Sequence, residues 1–208
     1  MKKIMFNDRY GLTRAVLEGR KTMTRRIIPD IWIDFPRSGR QKAIIAGMDS
    51  QVLMMDLSHV LGENSLYSAE RKYQPKYYKG DEVAVAQAYK DIYPDADFEM
   101  AGNEFMTESA GWNNKMFVKA DLMPNRIRIT DITAERLQDI SNEGCLREGV
   151  ERWLDGYIVS GLMERSGRNN RVFGTPRAAF ASLIDRISGK GTWERNPWVF
   201  AYEFELIK

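Results

Sequence analysis

The stretch Asn196-Pro197-Trp198-Val199-Phe200-Ala201-Tyr202-Glu203-Phe204-Glu205-Leu206-Ile207 reads as a strand, opened by Asn196-Pro197. Trp198, Phe200, Tyr202, Phe204 and Leu206 alternate with the other face, the two-residue period of a pleated strand. Working back along the chain, Arg126-Ile127-Arg128-Ile129-Thr130 alternates in the same way, arginines on one face and isoleucines on the other. Glu82-Val83-Ala84-Val85-Ala86 follows the turn signal Lys79-Gly80-Asp81 and has the pattern of a half-buried strand. Thr22 to Ile28 reads as extended, and Met116-Phe117-Val118 as a short strand.

Three helices fit between these strands. Over residues 8–20, Asp8 is an expected N-cap, Tyr10, Ala15, Val16 and Leu17 supply an apolar stripe, and Gly19 marks the end. Ser141 is the expected N-cap of a second helix with Leu146 and Val150 on one face. Thr175-Pro176 heads a third, with Phe180, Leu183, Ile184 and Ile187 inward. Strands outnumber strong helices, so the chain reads as one α+β domain over 1–208, built on a small, curved or barrel-like sheet.

Composition narrows the function classes. The 208 residues are 43% apolar and 29% charged, an ordinary globular balance that can bury a core without staples. No stretch approaches the ~20 apolar residues of a membrane helix, so no membrane partner is expected. The N-terminus starts basic but turns polar before a signal-peptide core forms, and the single Cys145 fits a reducing cytoplasm. One histidine, His59, and one cysteine make no His-rich or Cys-rich metal site, and no motif surrounds His59. Gly189-Lys190-Gly191-Thr192 has phosphate-loop letters in the wrong order, and no G-x-G-x-x-G occurs. Neither a metal nor a cofactor is therefore expected.

The net charge of +2 is small, but residues 1–28 hold eight basic and two acidic side chains. Positive charge is concentrated at the front, as a nucleic-acid or anion-binding surface needs and as a solvated helix face also allows.

Three segments then resemble the ASCH-domain family, which has a PUA-like β-barrel fold. They are Gly19-Arg20-Lys21-Thr22-Met23-Thr24-Arg25-Arg26, Tyr78-Lys79-Gly80-Asp81-Glu82-Val83-Ala84-Val85 and Asn196-Pro197-Trp198-Val199-Phe200-Ala201-Tyr202-Glu203-Phe204. Glu135-Arg136-Leu137-Gln138-Asp139-Ile140-Ser141 is similar to the same position in the longer, phage- or prophage-type bacterial members. The resemblance leaves insertions at about 30–77, 88–115 and 151–174 outside the minimal domain.

The resemblance implies binding of RNA or of a modified nucleoside in a basic cleft. Small members include metal-independent amidohydrolases that remove acetate from N(4)-acetylcytidine using a lysine, a threonine and a glutamate. Lys21, Thr24 and Glu148 match those catalytic positions. Arg20, Arg25 and Arg26 are the expected binding cations, with Trp193 as a wall. Chemically, Thr24 offers a nucleophile, Lys21 a base when neutral, and Glu148 a proton relay. Lys21 as a helix C-terminal cation and Thr24 as a plain strand residue is the competing description. A protein-interaction role in a phage-derived system is a third expectation.

Overall fold

The computed structural model describes residues 1–28, 75–95, 97–100, 104–163 and 170–207, with the backbone of short strands at 44–46, 51–53 and 72–73. In chain order the strands are β1 (Lys2–Ile4), β2 (Met23–Ile27), β3 (Ile44–Ala46), β4 (Gln51–Leu53), β5 (Lys72–Tyr73), β6 (Glu82–Val85), β7 (Glu99–Met100), β8 (Glu104–Phe105), β9 (Arg126–Arg136), β10 (Glu151–Trp153), β11 (Gly156–Ile158) and β12 (Trp198–Ile207). The helices are α1 (Leu12–Leu17), α2 (Tyr89–Ile92), α3 (Asn142–Arg147), α4 (Pro176–Ser188) and α5 (Thr192–Arg195).

The protein is α+β. Its main sheet has five strands in the order β1-β6-β9-β12-β2, with β1–β6 parallel and every other pair antiparallel. The alternating stretches at 126–130 and 198–207 fall in β9 and β12, which pair with a register shift between Glu203 and Phe204; β9 runs on to Arg136, six residues beyond the stretch that reads as a strand. Among the described strands the sheet stays open, with β1 and β2 at its edges, so the barrel-like closure expected from sequence is not seen there. Smaller ladders join β3-β4-β5, β7-β8 and β10-β11.

One core cluster joins α1 through Leu12 and Val16, α4 through Phe180, Leu183 and Ile184, and the sheet through Val83, Ile127, Ile129, Val199 and Phe204. A second cluster packs Ala84 and Ala86 against Tyr89, Met100, Met106, Val118 and Met123. β6 is therefore buried on both faces rather than half-buried. The insertion at about 88–115 carries scattered methionines and aromatics, among them Tyr89, Met100 and Met106, that help cover the second face of this strand.

Several local expectations change for physical reasons. The 8–20 helix is a 3-10 turn, Asp8–Tyr10, capped by Asn7, followed after Gly11 by α1. Asp8 instead accepts from the Thr13 hydroxyl at 2.5 Å and pairs with Lys115. Lys115–Phe117 is a 3-10 turn capped by Asn114, not a strand. Val150 is buried but lies beyond the end of α3. Ile187 is 40% exposed rather than inward. Trp198 is only half-buried, beneath the Arg136 guanidinium at 4.6 Å. The 30–77 insertion lies largely outside the described residues, as does His59.

Candidate functional site

The G-R-K-T-x-T stretch folds as a hairpin-like return from α1 into β2. Gly19 takes φ +73°, the left-handed conformation that ends a helix, and the Lys21 amide then donates to Ala15 O at 2.9 Å. This turn sends the Lys21 side chain inward, where it is almost fully buried. β2 follows, with Thr24 opposite Tyr202, Arg25 opposite Ala201 and Arg26 opposite Phe200.

Glu148 arrives from the other side as the C-cap of α3. The Ser141 hydroxyl accepts from the Gly144 amide at 2.9 Å and fixes the start of that helix. Gly149 follows with φ +102°, and a Cβ there would sit 3.0 Å from the Leu12 side chain, so the close return behind Glu148 requires glycine.

The Lys21 ammonium donates to Glu148 Oε2 at 2.6 Å, to Glu148 O at 2.8 Å and to Met23 O at 2.7 Å. Its three donors thus meet three acceptors. The two side chains are 2% and 6% exposed, so this is a buried ion pair. Arg25 completes the cluster, its Nη1 reaching Glu148 Oε1 at 3.1 Å while Nε and Nη2 reach Glu135 at 2.7 and 2.6 Å. Burial holds the Lys21 amine below the ordinary lysine value. Glu148 opposes that fall, and Arg26 and Arg25 add to it.

Lys21, Thr24, Arg25, Arg26 and Glu148 line one cleft of about 690 Å³, a size within the usual range of ligand pockets. Phe6 forms part of its wall, with the Arg26 guanidinium 5.9 Å and the Lys21 ammonium 5.8 Å from its ring centre. Phe180, Leu183, Ile184 and Ile187 of α4 supply an apolar side. The exposure of Ile187 follows from this: it borders the cleft rather than the core.

Thr24 is 5% exposed, and no hydrogen-bond partner meets its hydroxyl among the described residues. A buried hydroxyl without a partner costs about 1–3 kcal/mol, and most such groups in folded proteins are satisfied.

Two expected site residues lie elsewhere. Arg20 points to the surface, paired with Glu18 at 2.6 Å and Glu151 at 3.2 Å, and does not line the cleft. Trp193 is packed edge-on against Phe180 with ring centres 6.2 Å apart, and the Arg177 guanidinium lies 5.3 Å from its ring. It sits in α5, packed behind α4 and outside the cleft lining, because Asp185 accepts from its amide at 2.9 Å and anchors the start of that short helix.

The structure adds Glu135, Phe6, Arg9 and Lys115. Glu135 lies in a segment singled out in the sequence, but nothing in its spacing marks it as the partner of Arg25. Lys115 reaches the cleft across more than 100 positions of sequence, donating to Phe6 O and pairing with Asp8 at 2.6 Å. No local pattern could have announced that contact. Among the described residues no group of three or more His, Cys, Asp or Glu side chains could hold a metal ion, and no helix is long and apolar enough to cross a membrane.

Comparison with protein-family models, curated proteins and solved structures finds no match to this chain.

Proposed function

We propose that this chain is a cytoplasmic, ASCH-type protein with a PUA-like fold that binds a nucleoside unit, free and modified or within RNA, in the cleft between β2 and α4, without a metal. The observation that carries the reading is the Thr24 hydroxyl, buried and without a hydrogen-bond partner among the described residues, at a cleft lined mainly by basic and apolar side chains. A ligand that brings a donor or acceptor to that hydroxyl removes its desolvation cost. The apolar side contributed by Leu183, Ile184 and Ile187 suits the face of a base.

Calorimetric titration with cytidine, N(4)-acetylcytidine and a short single-stranded RNA tests this reading. Saturable binding of at least one nucleoside is expected, and it should be insensitive to chelators. Absence of binding by all three removes the reading.

A second reading, metal-independent deacetylation of N(4)-acetylcytidine-like nucleosides, is favoured by the meeting of Lys21, Thr24 and Glu148 on one cleft. In the ligand-free arrangement Lys21 is a full donor and cannot act as a base. Transfer of one proton from Lys21 Nζ to Glu148 Oε2, 2.6 Å away, makes a neutral pair, which burial favours. The Lys21 lone pair then takes the Thr24 proton as Thr24 Oγ bonds to the acetyl carbonyl carbon. Protonated Glu148 gives its proton to the N4 amine as the C–N bond breaks. Water hydrolyses the acetyl-threonine, releasing acetate. Chromatographic detection of cytidine from N(4)-acetylcytidine, lost in Thr24→Val, tests it; an unchanged rate in that variant excludes Thr24 as nucleophile.

A further inference from the structure

Seven charged side chains line the cleft: Asp8, Arg9, Lys21, Arg25, Arg26, Lys115 and Glu148. Most are already compensated. Lys115 is paired with Asp8, Lys21 with Glu148, and Arg25 with both Glu148 and Glu135. Their donors are spent on protein acceptors, so a ligand gains little from them directly.

Arg9 and Arg26 differ. Arg26 is exposed, and its one hydrogen bond among the described residues runs from Nη2 to the neutral Met5 carbonyl at 2.7 Å. Its Nε and Nη1 remain to be used, and the flat guanidinium is steadied by Phe6. The exposed Arg9 guanidinium makes no ion pair or hydrogen bond among the described residues and lies 5.9 Å from the Tyr10 ring centre. The cleft therefore carries two positive charges that no carboxylate of the described fold neutralises, both with open donors.

We propose that Arg9 and Arg26 form an anion subsite of this cleft and that its ligand is a phosphate-bearing nucleotide unit rather than a bare nucleoside. The proposal rests on the nucleoside reading above and specifies which end of the ligand meets which residues. The apolar side of α4 takes the uncharged part. The phosphate oxygens accept from the guanidinium N–H groups, whose fork matches phosphate geometry.

The test compares cytidine with 5′-cytidine monophosphate by calorimetry at low and high salt. The monophosphate is expected to bind roughly tenfold or more tightly at low salt, the gain of a charge-assisted hydrogen bond, and the advantage should shrink as salt rises. In the double variant Arg9→Gln/Arg26→Gln the ratio of the two affinities falls to near one. Arg26→Lys, which keeps the charge but not the fork, retains part of it. Both positions are exposed, and thermal unfolding verifies that the variants fold. Dicytidine joined by one phosphodiester distinguishes the source: affinity matching the monophosphate indicates a phosphate within a strand, and affinity matching cytidine indicates a free nucleotide. Equal binding of cytidine and the monophosphate by the wild type overturns the subsite and leaves the nucleoside reading standing. Failure of the monophosphate to bind overturns the subsite, and failure of cytidine, N(4)-acetylcytidine and the short RNA as well overturns the nucleoside reading with it.

Discussion

Removing Glu148 should cost more stability than removing Lys21, and removing both should cost far less than the sum. Glu148→Ala leaves the Lys21 ammonium in a site 2% exposed, with only the Met23 and residue-148 carbonyls as acceptors. Breaking a buried pair in this way costs about 3–5 kcal/mol. Lys21→Met is milder, because the Glu148 carboxylate keeps Arg25 at 3.1 Å, and the loss is about 2 kcal/mol, the scale of one charge-assisted hydrogen bond. In Lys21→Met/Glu148→Ala no ammonium is stranded, and Arg25 retains Glu135. The double variant should then lose about 3–4 kcal/mol, giving a coupling of roughly 2–3 kcal/mol. Urea unfolding followed by tryptophan fluorescence, with the five tryptophans as reporters, measures all four states of the cycle. Additivity within about 0.5 kcal/mol, or a larger loss in Lys21→Met than in Glu148→Ala, would refute the argument.

Thr24→Val replaces a buried hydroxyl, without a hydrogen-bond partner among the described residues, with a methyl of similar shape; native stability should stay equal or rise by up to about 1 kcal/mol while nucleoside binding weakens, measured by urea unfolding and calorimetry together. Ser141→Ala removes the cap that starts α3 and should cost about 1 kcal/mol, read from the urea midpoint, with a parallel loss of ligand affinity because Glu148 ends the same helix. Lys21 titrates below 10.5 in the folded chain, so between its folded value and 10.5 the unfolded chain binds more protons and this group's contribution to stability rises with pH. The stability of the wild type relative to Lys21→Met, measured by urea unfolding across alkaline pH, should therefore increase through that window; a flat or falling difference would count against the buried placement.

The α+β class and the long strands were legible because their signals are local. β12 and the first half of β9 alternate in sequence, while residues 131–136 of β9 carry no such alternation and are held by pairing with β12; Thr175-Pro176 and Ser141 cap helices where the side chains demand it. Burial on the second face of β6 was not legible, since it depends on Met100, Met106 and Met123, which share no period with that strand. At the site, Lys21, Thr24, Arg25 and Arg26 were legible as one short stretch, and Glu148 through the resemblance of its helix. Arg20 was misplaced because residues next to one another in a turn point in different directions, and Arg20 finds Glu18 and Glu151 at the surface. Trp193 was misplaced because it lies in α5, whose start is anchored by Asp185, a contact across the end of α4 that aromatic character alone does not reveal. Lys115 and Arg9 enter the cleft through the packing of distant segments.

The central claim is that the cleft between β2 and α4 is where a nucleoside unit binds. Methyl-labelled protein titrated with N(4)-acetylcytidine or 5′-cytidine monophosphate and followed by NMR tests it most directly. The expected shifts are confined to methyls that line the cleft, Ile27, Leu183, Ile184 and Ile187, while Ile92, Leu122 and the exposed Leu154 stay unmoved. Shifts centred on the latter three, or no saturable shift in the first four, would contradict the account.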